Sequence, residues 1–308
     1  MRIFLPLLTT LLLILPAAAE DAMLRPLPPS VPTDPAKVAL GKKLFFDPIL
    51  SVDDTVSCAT CHILPDGGDD NMPVSFGVKG RKGNINSPTV LNAVFNFRQF
   101  WDGRARDLRE QAEGPVQNPV EMANTFENLV ATLKKHPEYR ELFARAYPKQ
   151  GITKFTITDA IAEYEKTLIT PSPYDRYLQG DESALTQEQK EGLALFREKG
   201  CVLCHHGVNL GGTMFSKFGV VESSHSKDLG RYNVTKNPAD KYYFKVPTLR
   251  NIALTAPYFH DGRTKSLKEA VSIMASIQLG REMSDDELDK IVAFLSSLTG
   301  KLPEGALP

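Results

Sequence analysis

The chain carries Cys58-Ala59-Thr60-Cys61-His62 and, much later, Cys201-Val202-Leu203-Cys204-His205. C-x-x-C-H is the attachment site of a c-type haem. The two thiols add across the haem vinyl groups, and the following His offers its imidazole to the iron. Each haem thus arrives with one axial ligand fixed, and the protein's remaining choice is the other face of the iron. The four cysteines of the two motifs are the only ones in the sequence, so none is left for a disulfide or a separate redox pair. Zinc accepts the same ligand types, but zinc patterns place the later ligands further along. Here a His directly follows the second Cys in both copies.

Residues 1–19 read as an export signal. Arg2 supplies the charged start, Ile3 to Pro16 is apolar apart from Thr9 and Thr10, and Ala17-Ala18-Ala19 fits the small-residue cleavage rule. The apolar run is short for a membrane span. Export suits the two haem motifs, because bacterial c-type haem is attached outside the cytoplasm. The whole chain has a net charge of −1, and loss of Arg2 with the signal makes it slightly more acidic. That balance points to neither nucleic acid nor a membrane surface as partner.

The remaining length suggests two domains, and an internal repeat supports this. Pro88-Thr89-Val90-Leu91-Asn92 recurs as Pro247-Thr248-Leu249-Arg250-Asn251. Trp101-Asp102-Gly103-Arg104 recurs as His260-Asp261-Gly262-Arg263, and Leu108 and Glu110 match Leu267 and Glu269. The haem motifs are more closely spaced than these pairs, so the second copy carries an insertion between His205 and Pro247. A duplicated one-haem unit with a boundary near 175–185 follows, close to the Thr170-Pro171-Ser172-Pro173 turn and Gly180.

Helix signals dominate. Pro35 opens Ala36 to Phe46, Thr125 opens an amphipathic run, another follows Pro137, and Thr158 to Ile169 is a third. Thr186-x-x-Gln189, Ser266-x-x-Glu269 and Ser284-x-x-Glu287 read as capping boxes, with Gly200 as a stop before the second haem motif. The last helix puts Leu288, Ile291, Val292, Leu295 and Leu298 on one face. Tyr242 to Val246 is one short strand candidate. The fold class is mostly α, two tandem cytochrome c-type domains, each around one covalently bound haem.

Further motifs stand in a fixed order. They are the Gly67-Gly68-Asp69-Asp70 loop, Asn86-Ser87-Pro88-Thr89, Phe100 to Arg104, Glu110-Gln111-Ala112 and Pro119-Val120-Glu121-Met122. After the second haem motif come Leu254 to His260, Ala270 to Met274 and Gln278-Leu279-Gly280. In combination they resemble the bacterial dihaem cytochrome c peroxidase family over essentially the whole mature chain.

The resemblance implies a periplasmic enzyme that reduces hydrogen peroxide to water with electrons from a small cytochrome c or cupredoxin. It implies a signal peptide at 1–19, an N-terminal peroxidatic haem domain at 20–180 and a C-terminal electron-transfer haem domain at 181–308. His62 would hold the N-terminal haem, and Cys58 and Cys61 would attach it. Cys201 and Cys204 would attach the other, with His205 and Met274 as its iron ligands. A His/Met pair raises the reduction potential, which suits electron entry; Met214 is the alternative ligand. Gln111 and Glu121 match the family's distal pair, an amide to orient peroxide and a carboxyl to relay its proton. Trp101, the only tryptophan, matches the relay between the haems. Asn86, Thr255 and Pro257 match an interdomain Ca²⁺ site built on oxygen ligands. A homodimer is implied too. His260 is expected at the second haem's edge, and His206, His225 and His136 are expected to be exposed.

One departure matters. Many members of the family place a His in the loop after the first haem motif, where it caps the peroxidatic iron at rest. Here the segment reads Ser75-Phe76-Gly77-Val78-Lys79-Gly80, with Val78 at that position. Valine cannot ligate iron, no other His lies between His62 and His136, and Met72 is the only soft ligand in the loop. Two rival functions are an enzyme that oxidises residues of a partner protein and a non-enzymatic dihaem electron carrier. Met274 and the Gln111/Glu121 pair argue against the first. The missing His argues against the second, since a carrier would want both irons six-coordinate.

Overall fold

The structure, a computed structural model, describes residues 23–308, so the signal read at 1–19 lies outside the described residues. Eleven α-helices are described: α1 Pro35–Phe46, α2 Cys58–Cys61, α3 Leu108–Gln117, α4 Phe126–Lys135, α5 Pro137–Ala146, α6 Lys154–Glu165, α7 Pro173–Leu178, α8 Gln187–Glu198, α9 Tyr232–Thr235, α10 Leu267–Leu279 and α11 Asp285–Ser296. Two short strands, β1 Phe215–Lys217 and β2 Tyr243–Lys245, pair antiparallel with Phe215 opposite Lys245. The rest is loops and single 3₁₀ turns that carry most of the repeated motifs.

The helix starts follow their caps. Asp34 accepts from the Ala36 N–H with Pro35 at the first position, Thr125 accepts from Asn128, and Thr186 and Ser284 form full capping boxes. Four expectations need correction. The helix read at Thr158 to Ile169 runs from Lys154 to Glu165, because Thr153 caps it through a Thr-x-x-Thr box with Thr156. Ser266 caps α10 by accepting from the Glu269 N–H without the reciprocal bond that would close a box. Ser172-Pro173, read as part of a turn, instead starts α7. The strand candidate at 242–246 shrinks to Tyr243–Lys245, and its partner β1 was not anticipated.

Each half is built on one helix crossing made possible by a glycine. In the first, α1 crosses α6 where a Cβ on Gly41 would lie 1.8 Å from the Ala160 carbonyl oxygen. In the second, α8 crosses α11 where a Cβ on Gly192 would lie 1.9 Å from the Lys290 oxygen. The repeat is therefore deeper than the loop motifs that revealed it. Two apolar clusters follow. One gathers Leu40, Leu44, Phe45, Val116, Leu129, Phe143 and Ile161; the other gathers Leu193, Phe196, Ile291, Phe294 and Leu298.

The halves are stitched at Thr170. Its hydroxyl accepts from Asn92 Nδ2 at 2.8 Å and from Asn251 Nδ2 at 2.9 Å, the repeat-related asparagines. Both have left-handed backbone, φ 59° and 61°, at the start of equivalent 3₁₀ turns. Arg250, fully buried, holds Asp175 with two bonds of 2.6 and 2.8 Å, and Asp175 also accepts from the Leu27 N–H at 2.7 Å. The chain ends cross over. Leu24 joins the C-terminal cluster, while Leu302 and Ala306 join the N-terminal one, where Tyr164 Oη donates to the Ala306 carbonyl at 2.6 Å.

Candidate functional site

Both C-x-x-C-H motifs fold as tight helical turns. Thr60 Oγ1 accepts from the Ser57 N–H at 3.0 Å, and the His62 and His205 N–H groups return to Cys58 and Cys201 carbonyls, each at 3.0 Å. His62 Nδ1 lies 3.0 Å from the Gly68 carbonyl oxygen and His205 Nδ1 lies 3.3 Å from that of Leu210. A carbonyl only accepts, so Nδ1 carries the proton in both rings and Nε2 is left with a lone pair. Burial also lowers both imidazole pKa values, His205 to about 4, which keeps the ligating neutral form.

The cysteines are unpaired, and burial pushes Cys61 and Cys201 up to about 11. They are not activated thiolates of a redox pair. Among the described residues, no group of three His, Cys, Asp or Glu side chains could hold a metal, which disfavours a zinc reading. Each motif instead borders an apolar cavity, and a neutral imidazole with two thiols beside such a cradle fits covalent haem.

The N-terminal cavity is the smaller, about 500 Å³ of free space including its mouth. His62, Cys58, Cys61, Gln111, Glu121 and Glu165 all border it. Gln111 comes from α3, and Glu121 comes from the turn just after that helix. Burial holds the Glu121 carboxyl above the usual carboxylate range, against the opposing pull of the Asn118 amide and Arg104. Asn118 Nδ2 donates to Glu121 Oε1 at 2.5 Å, so the acid is aimed as well as desolvated.

Val78 is 1% exposed and belongs to the N-terminal apolar cluster rather than to the cavity wall. Its N–H donates to the Glu121 carbonyl at 2.8 Å. A Cβ on Gly77 would lie 2.2 Å from the Val120 oxygen, so the loop is docked hard against the turn that carries Glu121. Met72, the other residue weighed as a cap, is exposed and does not border the cavity.

The C-terminal cavity is larger, about 1460 Å³ including its mouth, and His205, Cys201 and Met274 border it. Met214 does not. Met283 does, but it packs into the C-terminal apolar cluster, which Met274 does not join. Trp101 lines the same cavity. Its Nε1 donates to the Asn86 carbonyl at 2.9 Å, and its own carbonyl accepts from the Lys245 N–H at 2.8 Å. His260 lies here too, 4% exposed, stacked 4.3 Å from Phe244, with Nε2 2.8 Å from Ser226 Oγ. His225 and His136 are exposed, whereas His206 is half-buried beside Thr213.

Asn86, Thr255, Pro257 and Asp69 all border this cavity. The Asn86 amide nitrogen is spent on the Met72 carbonyl at 2.9 Å, so its oxygen is the acceptor left over. Asp69 is 1% exposed and its Oδ1 has no hydrogen-bond partner. Burial and the neighbouring Asp70 push its carboxyl up to about 7. An orphaned buried carboxylate oxygen is a place for a cation. Asp69, Glu165 and Lys245 escape sequence reasoning because only the fold reveals their burial.

Known proteins resemble this chain over most of its length. A family profile described as di-haem cytochrome c peroxidase matches residues 35–183, and one described as cytochrome c matches residues 189–299. The chain is 49% identical over 302 residues to cytochrome c551 peroxidase of Pseudomonas aeruginosa, covering 94% of this chain and 87% of that one. It is 48% identical over 293 residues to the Nitrosomonas europaea protein of the same name, with 94% and 88% covered. A crystal structure of a MauG-like protein associated with microbial copper homeostasis superposes with a TM-score of 0.81 at 26% identity, covering 92% and 96% of the two chains.

Proposed function

The chain belongs to the di-haem cytochrome c peroxidase family and is a peroxide-reducing oxidoreductase; from that premise we propose that it works in the periplasm, with a small cytochrome c or a copper protein as its one-electron donor. One arrangement supports the assignment of roles: Gln111, Glu121 and His62 converge on a single buried cavity.

Hydrogen peroxide takes up two electrons and two protons and leaves as two waters. Haem iron, when bound at His62, supplies the place where peroxide binds and where electrons are delivered to it. The protein supplies the proton handling. Desolvated Glu121 accepts a proton from one peroxide oxygen and returns it to the departing one, and the Asn118 amide fixes which carboxylate oxygen faces the work. Gln111 orients peroxide through its amide. Cys58, Cys61 and His62 would hold this haem; Cys201, Cys204, His205 and Met274 would hold the one through which electrons enter. Trp101 lies on the wall of that second cavity and is assigned the relay.

Asn86, Thr255 and Pro257 are assigned a Ca²⁺ ion, with the orphaned Asp69 oxygen as the supporting observation. Chelation should then slow turnover, and added Ca²⁺ should restore it. Among the described residues, no helix is long and apolar enough to cross a membrane. Export rests on residues 1–19 and is checked by the N-terminus of the secreted protein. A homodimer is checked by mass in solution. The central test is peroxide turnover with a reduced small cytochrome c. Two cytochromes oxidised per peroxide consumed are expected, and failure to consume peroxide overturns the assignment.

A further inference from the structure

Lys245 ends strand β2 with its side chain 5% exposed, on the wall of the C-terminal cavity. Among the described residues, no hydrogen bond or ion pair engages its Nζ. Burial alone lowers its pKa, to about 8, and no neighbouring carboxylate raises it back. The one acidic residue on the cavity wall, Asp69, acts electrostatically on Tyr258 and not on Lys245. His260, on the same wall, is occupied by Ser226 and stacked on Phe244. A buried ammonium without a counter-charge is costly, and proteins retain one where an anion arrives to meet it.

We propose that Lys245 is the seat of a carboxylate brought into the C-terminal cavity by the group attached at Cys201 and Cys204, namely a haem propionate. This rests on the reading that the cavity holds a haem. The carboxylate is the right chemistry because the haem carries its only anionic groups at one edge, and Lys245 is the one unpaired buried cation bordering the cavity among the described residues. The position also carries a consequence. The Lys245 N–H is bonded to the Trp101 carbonyl at 2.8 Å, so the residue that would hold the haem edge is strapped to the proposed electron relay. Lys245 is a positioning residue: it would fix the haem edge beside Trp101 and, by neutralising a propionate, raise the potential of that haem.

The test uses the holoprotein. Haem content per chain is measured first, then the two potentials by optical redox titration, for wild type, Lys245→Met, Lys245→Gln and Lys245→Arg. Both haems should remain attached. In the Met and Gln variants the higher-potential haem should shift downward, with the reduced-to-oxidised ratio at a fixed potential falling about tenfold, which is about 59 mV for one electron. Arg should restore most of the loss. Unchanged potentials in Met and Gln variants that hold both haems overturn the inference. A wild-type potential that follows added acetate shows an exchangeable anion on Lys245, which also overturns it. Wild type with a single haem per chain defeats instead the reading on which the inference rests.

Discussion

The Trp101 indole N–H donates to the main-chain carbonyl of Asn86 at 2.9 Å. That bond reaches further than a packing contact would. The next residue, Ser87, places its Oγ 3.4 Å from His62 Nδ1 and 3.3 Å from the Cys61 carbonyl. A short run of one peptide and two polar contacts therefore joins the wall of one cavity to the imidazole of the other. Trp101→Phe keeps an aromatic ring near His260 but breaks the run. It should slow steady-state turnover with a reduced cytochrome and leave cyanide binding to the oxidised protein unchanged. Stopped-flow measurement of both quantities checks this, and equal slowing of both would point to misfolding instead.

Glu121→Ala should keep both haems and cut peroxide turnover by about 10²–10⁴-fold, the usual worth of a general acid–base. Gln111→Ala should cost less, since the amide orients and carries no proton. Steady-state kinetics beside haem quantitation decide it, and near wild-type activity in the Glu121 variant would remove it from the mechanism.

The loop at Val78 has no imidazole to offer the iron, and its side chain is committed to the apolar cluster. The N-terminal haem should be high-spin in the air-oxidised protein and bind cyanide without prior reduction. Electron paramagnetic resonance reads this directly; two low-spin signals at rest would reveal a second axial ligand on that iron. Val78→His should not simply install a block, because the Val78 N–H bond to Glu121 and the tight seat of Gly77 hold the loop where it is.

Met274→His should keep both haems and lower the potential of the C-terminal one, since imidazole favours Fe(III) relative to thioether. Turnover with a high-potential donor should fall with it. A potential that stays put would strike Met274 from the ligand set and turn attention to Met283, the other methionine bordering the cavity.

Glu165 gives a pH signature. Burial pushes its carboxyl from the usual 4.5 up to about 8, so the folded protein keeps a proton that the unfolded chain releases. Below about pH 4.5 both forms are protonated and the group is neutral in its effect. Between there and about pH 8 the folded state binds more protons, so its stability falls as pH rises. Above about pH 8 the loss is complete, roughly a few kcal/mol at most. Glu165→Gln should remove that slope, making the variant progressively more stable than wild type from pH 5 to 9 in denaturant titrations. Parallel curves would show that Glu165 ionises normally.

Much of this was legible beforehand because the signals are local. The haem motifs are contiguous, and Thr186, Ser284 and Pro137 mark helix starts by chemistry that acts within a turn. The Asn92/Asn251 repeat was legible as letters, although its shared hydroxyl acceptor at Thr170 was not. The start at Lys154 was missed because a Thr-x-x-Thr box lacks the acidic partner that usually marks one. Strand β1 was missed because three residues carry no period. Glu165, Lys245 and Asp69 look like ordinary surface charges until helices and loops far away in sequence close over them.

The crossed chain ends bear on how the molecule is made. The apolar cluster around α1 and α6 takes in Leu302 and Ala306, residues that leave the ribosome long after that cluster's other members. Leu24, among the first described residues, waits for a partner cluster built from helices beyond residue 172. Vectorial synthesis cannot finish one half and then begin the other. Each haem-bearing unit is closed by a strap from the opposite terminus, so the first unit matures last, and proteolytic loss of residues 302–306 would unclasp the N-terminal half rather than the half in which those residues are encoded.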